Sequence, residues 1–201
     1  MELIFATNNQ HKLFEIKNAI GHSYLLKGLS EAGIHEDIPE DYETLEENSL
    51  QKASYIYKKF KKNCFADDTG LEVEILNGRP GVFSARYSKM GSIQFPDMEA
   101  SEGNIKKLLL ELKDQKNRSA KFRTIITLIL NGEIYYFEGI VNGTILTSQS
   151  GKKGFGYDPI FCPNGMNKSF AEMDVLEKNQ ISHRAIASKK LVDFLNSQKL
   201  K

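Results

Sequence analysis

Asp67 and Asp68 stand side by side in "ADDTG", directly after the apolar run "CFA". A carboxylate presented from a strand end can hold Mg2+, which takes one or two protein carboxylates and completes its shell with water and phosphate oxygens. Successive strand side chains point to opposite faces. Only one of the two aspartates can therefore face a given cleft, which leaves the other to tie down the following turn. A turn start held by local side-chain-to-backbone bonds is the plainer reading. A second metal ligand can come from "IPEDYE", where Glu40, Asp41 and Glu43 crowd a loop that is otherwise simply solvated.

Three further segments carry groups suited to an anion. "TNNQHK" (Thr7, Asn8, Asn9, Gln10, His11, Lys12) is a polar turn leading into a helix, where backbone N–H groups and the helix dipole favour negative charge. Lys12 adds a point charge for phosphate. An ordinary capping turn is the alternative, and the P-loop and G-x-G-x-x-G patterns are both missing after this strand. "GRPGVFSARY" fixes a sharp turn shortly before Arg86, which can bind phosphate bidentately or pair with a surface acid. In "EKNQISHR", Lys178, His183 and Arg184 gather at a helix start against the local dipole, which points to an anionic or polar ligand.

"GFGYDP" poses a different question, because it sets a large ring on a flexible segment. Glycines on both sides hold Phe155 where backbone can approach closely, as a base-stacking platform requires. Stacking of that kind is worth roughly 1–3 kcal/mol per base. Asp158 can accept a hydrogen bond from a base N–H. A loop aromatic folded back as a core plug is the alternative.

The elements that must position these groups follow from hydrophobic period. "ELIFAT" reads as a short buried strand, and Leu13, Ile16 and Ile20 repeat at helical spacing after it. Thr44 and Glu47 have capping-box spacing, with Leu50, Ala53, Tyr57 and Phe60 as the expected apolar stripe of a second helix. "CFADD" reads as a strand ending in carboxylates, and "LEVEIL" alternates like a separate, half-exposed strand. Ser101 is the expected cap of a third helix that turns Ile105, Leu108, Leu109 and Leu112 inward. Asn131-Gly132 predicts the turn of a long hairpin. Ser182 is the expected cap of a last helix with Ala187, Leu191, Phe194 and Leu195 inside. Helices interleaved with strands, plus an antiparallel hairpin, predict an α/β protein with a mixed sheet.

Bulk properties bound the function. The chain of 201 residues suits one domain or two closely joined lobes. A net charge of +1 provides no basic field for nucleic acid, and the cluster "YKKFKKN" reads as the solvated face of a helix. Cys64 and Cys162 are far apart and in no metal-ligand spacing, so free buried thiols in a reducing compartment are expected. The apolar run "TIITLIL" (124–130) is far short of the ~20 residues of a membrane helix, and "LIF" is too short for a signal peptide. A soluble, cytoplasmic protein without membrane or nucleic-acid partners is expected.

Taken in order, these segments resemble the inosine triphosphate pyrophosphatase family, Mg2+-dependent enzymes that act on non-standard purine nucleoside triphosphates such as ITP, dITP and XTP. "FADDTGLEVEILNGRPGVFSARY", "GFGYDPIF" and "EKNQISHR" carry the resemblance, which runs from Thr7 to the last helix. It implies a single domain over residues 1–201, built on a long mixed sheet flanked by helices, with two lobes around a central cleft, and a homodimer.

By position, Thr7 to Lys12 look like the family's phosphate-binding turn, although Asn8 and His11 stand where glycines are common. Asp68 matches the aspartate assigned to metal binding and proton acceptance, and Glu40 the other metal carboxylate. Lys52, Thr69 and Arg86 match substrate contacts; Phe155, Gly156, Tyr157, Asp158, Lys178, His183 and Arg184 match residues around the base and nucleotide. The resemblance implies hydrolysis between the α- and β-phosphates, with Lys12, Lys52 and Arg86 helping Mg2+ to neutralise the leaving pyrophosphate. Asp67 and Glu43 remain open as partners to Asp68 in proton transfer. Donors from Arg184 or backbone, with Asp158 as acceptor, would tell hypoxanthine and xanthine from adenine. A Maf-like pyrophosphatase of other base specificity, or a non-catalytic nucleotide or RNA-binding module, are the rival readings.

Overall fold

The strand that carries both aspartates sits inside the sheet. In this computed structural model, which describes residues 2–20 and 24–198, β3 (Cys64–Val73) runs without a break through "CFADDTGLEV". Asp67 and Asp68 therefore lie mid-strand, and the two separate strands expected here are one. The remaining strands are β1 (Glu2–Phe5), β2 (Leu25–Gly28), β4 (Pro80–Gly81), β5 (Ser119–Leu130), β6 (Glu133–Ile145) and β7 (Phe161–Pro163). The sheet order is β2-β1-β3-β5-β6-β7, with β4 pairing β3 off this path. Pairing is parallel for β1 with β2 and with β3, and antiparallel for β3 with β4 and for β6 with β7. This is the mixed α/β sheet that the sequence predicts. The helices are α1 (Gln10–Ile20), α2 (Leu45–Phe60), α3 (Ala100–Glu111), α4 (Val175–Ile181) and α5 (His183–Gln198). Among the described residues no helix is long and apolar enough to cross a membrane.

The chain divides into two compact units. The first comprises residues up to 68, 124–140 and those from 179 onward. Its sheet has a core on each face, and the strand period of two decides which residue goes where. Leu3, Phe5 and Phe65 join Leu13 and Ile16 of α1 and Ala187, Leu191 and Leu195 of α5. Ile4, Ala6, Cys64 and Ala66 join Ala53 and Ile56 of α2. Phe5 and Phe65 stack with centroids 4.7 Å apart. At the tip of the β5–β6 hairpin, Asn131 and Gly132 both take positive φ, as a two-residue turn requires.

The second unit comprises residues 69–123 and 141–178. Phe122, Phe161 and Phe170 form its aromatic centre, with ring centroids 4.7 to 6.1 Å apart. Helix α3 packs on the short helical segment Ser84–Lys89.

Three local expectations change. Thr44 does cap α2, accepting from the Glu47 N–H. The buried face of that helix, however, is Leu45, Asn48, Ser49, Lys52, Ala53 and Ile56, while Leu50, Tyr57 and Phe60 are only partly buried. Polar residues with hydrogen-bond partners displaced the apolar stripe. Glu99, not Ser101, caps α3, because its carboxylate accepts the Glu102 N–H. The "EKNQI" segment forms its own short helix, α4, before Ser182 caps α5.

Candidate active site

Strand alternation sends Asp67 and Asp68 to different helices. Asp67 shares its parity with Phe5 and Phe65, so it turns toward α1 and α5. Its Oδ1 accepts from Lys12 Nζ of α1 at 2.9 Å, and its Oδ2 accepts from Arg184 Nε of α5 at 3.1 Å. Arg184 NH1 also pairs with Glu15. Asp68 turns to the α2 face, where Lys52 Nζ donates to its Oδ1 at 3.3 Å and to Glu40 Oε1 at 2.5 Å. Two carboxylates from distant segments thus converge on one ammonium group, and Lys52 is only 5 % exposed.

Burial and charge set the proton affinities. Burial pushes the Asp68 carboxyl up, and that outweighs the opposing pull of Lys52 and Lys12. Burial would raise Asp67 as well, but Lys12, Arg184 and Lys52 together hold it well below the usual carboxylate range. The same contest lowers Glu40, where Lys52 prevails. Burial would lower Lys52, but Asp68, Glu40 and Asp67 raise it. Lys12 goes the other way, since its desolvation exceeds the help from Asp67. Of the adjacent pair, Asp68 thus has the higher proton affinity.

The Thr7–Lys12 turn is largely exposed and organised by its own side chains. Asn9 Oδ1 accepts the N–H groups of His11 and Lys12 at 3.0 and 3.2 Å, and Thr7 Oγ1 accepts that of Asn9 at 3.1 Å. The Lys12 ammonium, at the head of α1, is the charge this turn brings to Asp67. Asn8 is not among the described non-glycine residues with positive φ. His183 is buried at the start of α5, beside Arg184.

The second unit gathers a different set. Gly154 and Gly156 have φ of +75° and +59°, so both suit glycine. A Cβ on Gly154 would come 2.1 Å from Asp158 Oδ2, which explains why the turn begins with a residue that has none. That same oxygen accepts the Phe155 N–H at 2.9 Å and Lys178 Nζ at 2.6 Å. Lys178 Nζ lies 5.1 Å from the Phe155 ring centroid and 5.5 Å from that of Phe170. Phe155 is half-buried; Tyr157 is buried, and its hydroxyl donates to Ser84 O at 3.0 Å. The Arg86 guanidinium carbon sits 5.2 Å from the Phe83 ring centroid. Thr69, next to Asp68 on β3, is partly buried.

No group of three or more His, Cys, Asp or Glu side chains able to hold a metal occurs among the described residues. Glu40 and Asp68 are nevertheless a fitting donor pair for a hard divalent cation whose remaining ligands are water and phosphate. Both carboxylates already point at one positive centre, Lys52 Nζ. The two thiols are free; Cys64 is buried and pushed up to about 12, whereas Cys162 is only half-buried, not buried as expected.

Residues 3–194 match the Ham1 family. The chain belongs to this family. A dITP/XTP pyrophosphatase of Flavobacterium psychrophilum is 46 % identical over 98 % of this chain and all of that protein. One from Porphyromonas gingivalis is 48 % identical over 96 % of this chain and 97 % of its own. The Ham1 protein of Staphylococcus aureus superposes with a TM-score of 0.85 at 38 % identity, over 98 % of this chain and all of the other. A HAM1 protein from Coxiella burnetii gives 0.85 at 34 % identity, covering 98 % and 99 %.

Within this Ham1-family chain, the motif reading missed Glu15, which shares Arg184 with Asp67, and Asn104, a buried amide on α3. Glu15 gave no signal, since it looks like any exposed helix acid. Asn104 gave one: a poor helix former beside Gly103, inside a run of helix formers.

Proposed function

We propose that this Ham1-family protein hydrolyses non-standard purine nucleoside triphosphates, ITP, dITP and XTP, to the monophosphate and pyrophosphate. Residues 1–201 act as one pyrophosphatase domain, and two copies form a cytoplasmic homodimer. The names of the relatives support the substrate class. The observation that carries the chemistry is the convergence of Glu40 and Asp68 on Lys52 Nζ.

Asp68 and Glu40 would hold Mg2+, which supplies neutralisation of the phosphate oxygens and an oriented water. Lys12 and Lys52 offer their ammonium groups to the polyphosphate and stabilise charge as it gathers on the leaving pyrophosphate. Arg86 adds a planar fork for a phosphate oxygen. We assign the Asp68 carboxylate to take the proton of the attacking water, directly or through solvent held by the cation. Asp67 keeps Lys12 and Arg184 in place and does no proton transfer; Glu43 is not needed. Thr7, Asn8, Asn9, Gln10 and His11 shape the turn that presents Lys12, and Thr69 lies on the strand beside Asp68.

Phe155 stacks the purine, while Asp158 holds Lys178 against that ring. His183 packs the start of α5 and seats Arg184. Donors of the turn, Gly156 among them, meet the O6 of hypoxanthine or xanthine; adenine leaves them unpaired at about 1–3 kcal/mol each.

Purified protein given ITP, XTP, dITP, GTP and ATP with Mg2+ tests this directly. ITP, dITP and XTP should yield monophosphate and pyrophosphate far faster than ATP reacts. Release of orthophosphate in place of pyrophosphate, or equal turnover of ATP, would overturn it.

A further inference from the structure

Helix α3 spends a whole face on holding one segment. Asn104, 4 % exposed, uses both ends of its amide there. Its Oδ1 accepts the Ser88 N–H at 2.6 Å, and its Nδ2 donates to Ser84 O and Ala85 O at 3.0 and 3.2 Å. One turn on, the buried Lys107 donates to Tyr87 O at 3.0 Å and to Met90 O. Gly103 lets the helix approach, because a Cβ there would stand 3.0 Å from Ser88 Cβ. Five backbone groups between residues 84 and 90 are thus fixed by two side chains. Arg86 lies in the middle of that span.

The Ser84 carbonyl is a shared node. It accepts from Asn104 Nδ2 and also from the Tyr157 hydroxyl, whose residue belongs to the turn carrying Phe155 and Asp158. A carbonyl oxygen has two lone pairs, and here each has a donor. The segment that bears Arg86 and the turn that bears Phe155 are therefore tied at one atom.

We infer that Asn104 is a positioning residue for the substrate: through the Ser84 carbonyl it fixes where Arg86 stands relative to the Phe155 turn. The inference rests on the proposed function, which gives Arg86 and Phe155 to the nucleotide. Its effect falls on substrate binding, since a buried amide without contact to the reacting atoms changes where Arg86 can reach and not the chemistry at Asp68.

The test compares Asn104→Asp, Arg86→Ala and their combination in the full chain, with KM and kcat for ITP and melting temperature measured for each. Asn104→Asp keeps the acceptor for Ser88 and loses both donors. It should raise KM roughly tenfold with kcat nearly unchanged, and add little to KM once Arg86 is gone. Multiplying effects, or a lower melting temperature with KM unchanged, would overturn the inference and leave the proposed reaction standing. If Arg86→Ala leaves KM unchanged, the inference falls with that role of Arg86, while the product assay still judges the reaction separately. Should Asn104→Asp fail to fold, Tyr157→Phe removes one hydroxyl at the same carbonyl, and the same two patterns with Arg86→Ala support or overturn the claim.

Discussion

In the first unit, Lys12, Asp67, Arg184 and Glu15 form one run of buried and half-buried charges, and the buried Lys52 and Asp68 form another with the exposed Glu40. In the second unit, Asp158 pairs with Lys178, whose ammonium lies near the rings of Phe155 and Phe170. In the first group Glu40 and Asp68 share the single ammonium of Lys52. Its members also hold partners that a phosphate or a divalent cation can replace. The Asp158–Lys178 pair is fixed by the backbone of its own turn. It has orientation to offer, not charge. A site for polyphosphate needs the first arrangement, and a platform for a flat base needs the second.

If this contrast is right, the two regions should fail differently. The largest effect is expected from Lys52→Met, which removes the cation between Glu40 and Asp68. Steady-state kinetics should show kcat/KM for ITP lower by about 10²–10³-fold, the usual loss when a preorganised charge-stabilising group is deleted. A loss under about tenfold would take Lys52 out of the mechanism.

Phe155→Ala should act on binding instead. Loss of roughly 1–3 kcal/mol of stacking raises KM for ITP about 5- to 150-fold with kcat nearly kept. A fall mainly in kcat would blur the distinction between the regions.

A smaller effect concerns stability in acid. The Asp67 carboxyl is held below its ordinary value of 3.8 by the cations around it, against burial. A lowered folded value means that its contribution is complete above the unfolded value and drains away as pH falls toward the folded one. Urea midpoints of the wild type should therefore drop as pH falls below about 4. Asp67→Asn should be less stable at pH 7 and show a shallower decline across that window. Parallel declines would contradict the assignment of Asp67 as a structural anion.

Much of this was legible in the sequence where local rules agree with the fold. The Asn131-Gly132 turn, the Thr44 cap and the Leu13–Ile16–Ile20 stripe are set by neighbours in the chain, and all three appear as expected. The alternation argument also survives: Asp67 and Asp68 do face opposite ways. What could not be read is where polar side chains override hydrophobic period. Helix α2 turns Asn48, Ser49 and Lys52 inward because each has a polar partner, such as Thr127 Oγ1 at 2.6 Å from Ser49 Oγ, and no periodicity reveals a partner 78 residues away. The break expected after Asp68 failed for a related reason, since neighbouring strands carry β3 past its polar centre. In "GFGYDP" the sequence left a stacking platform and a core plug both open for Phe155, and offered Asp158 as an acceptor for a base N–H. The structure spends Asp158 on the turn itself and on Lys178, which only coordinates could show.

The central claim is that the Asp68 carboxylate takes part in the hydrolysis. Asp68→Asn keeps the shape and removes the charge that burial already disfavours, so the melting temperature should stay within a few degrees of the wild type. Turnover of ITP by that folded variant should drop about 10²–10⁴-fold. A folded Asp68→Asn protein that still releases pyrophosphate at more than about a tenth of the wild-type rate would contradict the account.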